Sequence, residues 1–134
     1  MKLKRVPESL DLLIIGAKWG YGRRHEFLSN LTLAVWDKDE MSPICKTYRG
    51  LTNKEMGMLT EKLLELRLNN DDNGVSVKPK IVVEVIYDDI QRSSIYRCGY
   101  TLRQTRIREI RWDKSADEAD DLRRVRTIYK ELHG

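Results

Sequence analysis

Between Arg103 and Lys114 the chain carries Arg103, Arg106, Arg108, Arg111 and Lys114, five cations in twelve residues, broken by Ile107 and Ile110. A guanidinium presents a planar fork of donors that clamps a phosphate through two parallel bonds, so this density suits phosphate contact. In an extended chain Arg106 and Arg108 share one face, and Arg111 falls on the other with Ile107. A second cluster, Arg23-Arg24, stands beside Gly20 and Gly22, whose freedom at φ permits a tight or irregular loop. Lys2, Lys4 and Arg5 form a third at the chain start. Taken blandly, the three clusters are a solvated strand face, a turn and a tail. Their common sign points instead to a polyanion. Glu84, inside the apolar run Ile81–Tyr87, is either a partly buried acid or an outward-facing polar position.

Other chemistries lack their residues. No Gly-rich loop of the Walker type is present, nor a lysine in the Lys-x-Asp-Gly arrangement of a covalent nucleotidyl transferase. His25 and His133 are the only histidines; they offer no zinc spacing and no Ser or Cys nucleophile beside them. Cys45 and Cys98 read as packing residues of a reduced protein. No basic start followed by an apolar stretch marks a signal peptide, and no apolar run approaches the roughly 20 residues that span a bilayer. The expected location is therefore intracellular, cytoplasmic or nuclear, without a membrane. With 134 residues, 40% hydrophobic and 34% charged, the chain suits one globular domain, and its net charge of +4 says little by itself about partners.

The elements that must position these groups follow from periodicity. Leu10–Ile15, closed by Gly16, reads as a buried strand. Leu31–Trp36 and Ile44–Tyr48 alternate as two more, with Asp37–Glu40 as a charged turn, which makes an antiparallel meander. At Thr52 the period changes. Thr52 and Glu55 fit a capping box, and Met56, Leu59, Leu63 and Leu66 recur at helical spacing, which predicts a helix over Thr52–Leu68. The polar run Asn69–Gly74 reads as a turn that ends it. Ile81–Tyr87 is the strongest strand signal and Ile107–Trp112 a plausible last one. Ser115 and Glu118 suggest a second capping box ahead of a C-terminal helix lined by Leu122, Val125, Tyr129 and Leu132, with acidic residues first and basic ones after, as the helix dipole prefers. The pattern is mainly β with two helices. It is expected to form a five-stranded barrel of the oligonucleotide/oligosaccharide-binding (OB) type, with a helix between strands 3 and 4 and a C-terminal helix.

Several blocks, in order, resemble one family. Leu10–Arg24, Cys45-Lys46, Gly50–Glu55, Lys78–Val85, Asp89–Tyr96, Gly99–Arg103, Arg111–Lys114 and Glu118–Asp120 are similar to the OB domain of ATP-dependent DNA ligases of the archaeal and eukaryotic replicative type. The likeness spans nearly the whole chain. It implies that Arg111, Asp113 and Lys114 are the Arg-x-Asp-Lys of nucleotidyltransferase motif VI, which approaches the ATP β and γ phosphates and orients pyrophosphate to leave during lysine adenylylation. Motif V of the family ends Trp-Leu-Lys-Leu-Lys; Met1 stands at the first Leu, so Lys2 and Lys4 match its lysines, implied to hold nucleotide phosphates. The expected division is thus 1–9, the end of motif V, and 10–134, the OB domain. A chain starting inside a motif is expected to be part of a longer protein or one subunit of a split enzyme. Where the family reads Arg-Phe-Pro-Arg, this chain has Arg103-Gln104-Thr105-Arg106, which keeps both candidate phosphate-binding arginines.

The resemblance implies a ligase that uses ATP and Mg²⁺ to seal nicks in replication, repair and recombination. Its partners would be nicked duplex DNA and an adenylation domain, absent here with its nucleophilic lysine. Alone, this domain is expected to be monomeric and inactive, with neither cofactor bound. Arg23 and Arg24 are the candidates for backbone phosphate contact on DNA, and the C-terminal helix could dock on the catalytic domain through Asp117, Asp120 and Asp121. The role assigned to motif VI requires its cations to reach outward rather than be consumed by internal ion pairs. A free-standing single-strand-binding OB module, the OB domain of an RNA ligase or capping-type guanylyltransferase, and a purely structural interaction domain are the alternatives; against the first, aromatic residues for stacking make up only 7% of the chain.

Overall fold

The computed structural model describes residues 8–20, 26–71 and 73–134. Three strands open it as an antiparallel meander: β1 (Leu10–Trp19), β2 (Leu28–Asp37) and β3 (Glu40–Thr47). Lys38, with φ of 60°, turns β2 into β3. Helix α1 (Asn53–Glu65) follows, then a hairpin of β4 (Arg67–Asp71) and β5 (Gly74–Val77). After these come β6 (Val82–Ile86), the separate two-stranded ribbon β7 (Asp89–Arg92) and β8 (Tyr100–Arg103), and β9 (Arg106–Arg111). A 3-10 turn at Ala116–Glu118 and helix α2 (Leu122–His133) complete the chain.

Strand β1 organises the sheet. One edge pairs with β2; the other divides, its first half taking β6 (Leu10 opposite Val85) and its second half β5 (Gly16 opposite Ser76). β6 pairs in turn with β9, and the start of β9 returns to the end of β3, where the Ile107 amide donates to the Arg49 carbonyl at 3.0 Å. The five strands β1, β2, β3, β6 and β9 thereby close into an OB barrel with α1 between its third and fourth strands, as the pattern predicts. Gly50 sits at this closure with φ of +108°; a Cβ there would lie 2.0 Å from the Ile107 carbonyl oxygen. Leu12, Ile14, Leu33, Val83, Val85 and Ile107 fill the interior, and α1 seals it with Leu59 and Leu63.

The capping box of α1 is present: the Thr52 hydroxyl accepts from the Glu55 amide at 3.2 Å, and the Glu55 carboxylate accepts from the Thr52 amide at 3.0 Å. Several boundaries depart from the sequence reading; β2 and β3 begin earlier, at Leu28 and Glu40. β1 runs through Gly16 to Trp19, because Gly16 lies against the Val75 carbonyl where β5 approaches, a place a side chain would crowd. α1 stops at Glu65 rather than Leu68. The polar segment after it is recruited as strand β4 by the free edge of β5, whose Val75 and Val77 are buried; tertiary pairing overrides its low strand preference. The Ser115/Glu118 pair caps the 3-10 turn, and α2 begins later, capped by the Asp121 carboxylate, which accepts from the Arg124 amide at 3.0 Å. Leu122, Val125 and Ile128 of α2 are buried, so its apolar face is spent on its own domain. No helix among the described residues is long and apolar enough to cross a membrane.

Candidate functional site: a charged face on β1, β6 and β9

The geometry of the cationic segment is set by an irregularity in the β6–β9 ladder. Glu84 pairs with Glu109 but Val85 with Ile107, which leaves Arg108 as an extra residue. Simple alternation is interrupted there. Ile107 and Ile110 are both buried, and Arg111 emerges on the same outer side as Arg106 and Arg108, not on the opposite face with Ile107 as strict alternation predicts.

Past β9 the chain folds back in a tight turn, in which the Lys114 amide donates to the Arg111 carbonyl at 3.2 Å. That turn returns Asp113 beneath the Arg111 guanidinium. Arg111 Nε and Nη2 donate to the two Asp113 carboxylate oxygens at 3.1 and 3.0 Å, a bidentate pair. Arg111 Nη1 lies 3.9 Å from Glu84 Oε1, and Arg108 Nη1 4.0 Å from Glu84 Oε2. Glu84 Oε2 also accepts from the Ser9 hydroxyl at 2.6 Å. Glu84 is 15% exposed and shares the outer side with Arg108 and Arg111, so both of its readings hold: it faces outward and is partly buried. The Lys114 ammonium pairs with the Asp11 carboxylate of β1, which stands directly opposite Glu84 in the β1–β6 ladder.

These contacts fix the charge states. The Asp113 hydrogen bonds hold Arg111 well above the ordinary arginine value, and the Arg111 contact holds Asp113 below the usual carboxylate range. The Asp11 carboxylate likewise raises Lys114. Both cations are thus engaged by carboxylates of their own domain, yet their side chains remain 26% and 24% exposed on the outer face. They are paired and still open to solvent.

The segment after Lys114 is strapped across the barrel. Asp120 and Asp11 bond through their main chains and side chain: the Asp120 carboxylate accepts from the Asp11 amide at 2.7 Å, and the Asp120 amide donates to the Asp11 carbonyl at 2.8 Å. Burial raises Asp120 above the usual carboxylate value. The Trp36 indole donates to the Ala116 carbonyl at 2.8 Å, and Ala119 covers Leu13 and Val82. Of the three acids considered for docking α2 on another domain, Asp120 is consumed by this strap, Asp121 caps α2, and Asp117 accepts from the Ser115 hydroxyl.

Arg103 and Arg106 are exposed at the turn between β8 and β9, at the far end of β9 from Arg111. Gln104 between them takes φ of 53°, and Thr105 is buried. Lys2, Lys4, Arg23 and Arg24 lie outside the described residues. Sequence reasoning missed Asp11. Its only signal was an acid within the apolar run of β1.

Residues 24–114 match the family described as "ATP dependent DNA ligase C terminal region". "DNA ligase 1" of Korarchaeum cryptofilum is 46% identical over 97% of this chain and 24% of its own length. The "DNA ligase" of Methanothrix thermoacetophila is 42% identical over 100% of this chain and 25% of its own. The chain therefore spans about a quarter of the length of these curated relatives. In structure, the ligase domain of M. tuberculosis LigD superposes with a TM-score of 0.71 over 87% of this chain and 39% of that one, at 21% identity, a likeness of fold. An OB barrel with this sequence match has one reading among those left open: the chain belongs to the family of ATP-dependent DNA ligase C-terminal regions.

Proposed function

We propose that this domain supplies motif VI to an ATP-dependent DNA ligase, with Arg111 and Lys114 contacting the β and γ phosphates of ATP while an adenylation domain's lysine attacks the α phosphate. The observation that carries the reading is the shared outward placement of Arg111 and Lys114, each already coordinated by a carboxylate whose oxygens mimic those of a phosphate. Charge placed where pyrophosphate gains negative charge favours its departure. Arg111 Nη1, 3.9 Å from Glu84 Oε1 and making no hydrogen bond among the described residues, keeps donors for an incoming phosphate oxygen. Asp113 orients the guanidinium. Mg²⁺ would be held chiefly by the phosphates: no group of three or more His, Cys, Asp or Glu side chains among the described residues is arranged to cage an ion.

In this reading the domain acts in two orientations, one closing motif VI over ATP and one laying a second face on nicked duplex. Lys2 and Lys4 add phosphate contacts, Arg103 and Arg106 extend the cationic surface, and Arg23 and Arg24 contact DNA backbone. In the complete ligase, adenylation domain included, Arg111→Ala or Lys114→Ala is expected to slow lysine adenylylation about 100-fold while sealing of a pre-adenylylated nick stays comparatively intact. Equal loss in the two steps would remove the assigned role.

A further inference from the structure

We propose that Asp11 is a positioning residue for adenylylation, holding the Lys114 ammonium where a phosphate meets it; the inference rests on the phosphate role of Lys114 given above. Asp11 and Glu84 face each other across the β1–β6 ladder with side chains only 17% and 15% exposed. Like charges directly opposite in an antiparallel pair repel, and partial burial strips the water that would soften the repulsion. Each carboxylate is tolerated because cations flank it: Lys114 on Asp11, Arg108 and Arg111 around Glu84.

In a partly buried ion pair the cost of desolvating both charges offsets most of their attraction, so stability is a poor reason to set two acids side by side. Positioning is a better one. Lysine carries a long stem whose rotamers are costly to fix. Asp11 is a firm point from which to fix them, since its amide and carbonyl are both hydrogen-bonded to Asp120, at 2.7 and 2.8 Å. The bond from the Lys114 amide to the Arg111 carbonyl then transmits that placement to the second cation. An ammonium has three donors; with one on Asp11, two remain for phosphate oxygens.

The test is a double-variant cycle in the complete ligase: Asp11→Asn, Lys114→Ala and both together. Lysine adenylylation is followed over a range of ATP concentrations, and sealing of a pre-adenylylated nick is assayed separately. Asp11→Asn is expected to raise the KM for ATP in adenylylation about tenfold and leave sealing little changed. Added to Lys114→Ala it should cause no further loss, because its target is gone. Asp11→Glu, which keeps the charge, should recover most of the deficit. An unchanged KM, equal losses in both steps, or losses that multiply in the double variant would overturn the proposal. If Lys114→Ala impairs adenylylation and Asp11→Asn does not, Asp11 alone is excluded; if Lys114→Ala has no effect, the phosphate role itself falls and takes this inference with it.

Discussion

Thr47 and Thr105 are stitched together at the seam that closes the barrel: the Thr47 hydroxyl donates to the Thr105 carbonyl at 3.2 Å, with both residues buried. Thr47→Val keeps the shape and leaves that carbonyl unpaired. It is expected to cost about 1 kcal/mol, measured as a lower urea midpoint at constant slope.

Gly50 lies at the same seam. Gly50→Ala combines a left-handed φ of +108° with a Cβ that would be 2.0 Å from the Ile107 carbonyl, so the strand ends must part. A loss of about 2 kcal/mol or more is expected, and a melting curve matching that of the unaltered protein would contradict the closure described here.

Burial pushes the Cys45 thiol up to about 12, with Cys98 nearby adding to the rise. The native protein should therefore resist a thiol-directed disulfide reagent at Cys45 at pH 8 and react there once unfolded. The raised value also fixes a sign. The folded state keeps its proton where the unfolded thiol, at about 8.5, has lost it. The stability linked to Cys45 is present below that pH and is lost as pH rises toward 12. Cys45→Ser should flatten this alkaline decline in a series of unfolding curves.

In the proposed reading, Arg23 and Arg24 bear on DNA rather than ATP. If each neutralises one backbone phosphate, replacing both by Ala should reduce the slope of log affinity against log salt by about 2 on nicked duplex. Fluorescence titration at several salt concentrations reads this directly, and an unaltered slope removes the loop from the DNA face.

Local signals were legible in the sequence where one element decides its own shape. The Thr52/Glu55 box and the spacing of Met56, Leu59 and Leu63 specify α1 without help from elsewhere. Signals that depend on a neighbour were misread. Asn69 and Asn70 belong to a strand only because β5 offers an edge, and Arg111 changes face only because Arg108 has no partner on β6. The same divide runs through the site. Arg111, Asp113 and Lys114 fall within four residues, so their closeness was legible in the sequence; Asp11, separated from Lys114 by 103 positions, joins them only when the barrel closes.

The strap that leaves Lys114 and runs along β1 and β2 to α2 has a practical consequence for anyone trimming this protein. The family match ends at Lys114, yet Ala119 shields Leu13 and Val82, and Leu122, Val125 and Ile128 complete the interior. A fragment cut at the end of the match would expose that oily surface to water and should be recovered as aggregate, so the smallest soluble unit extends well into the final helix.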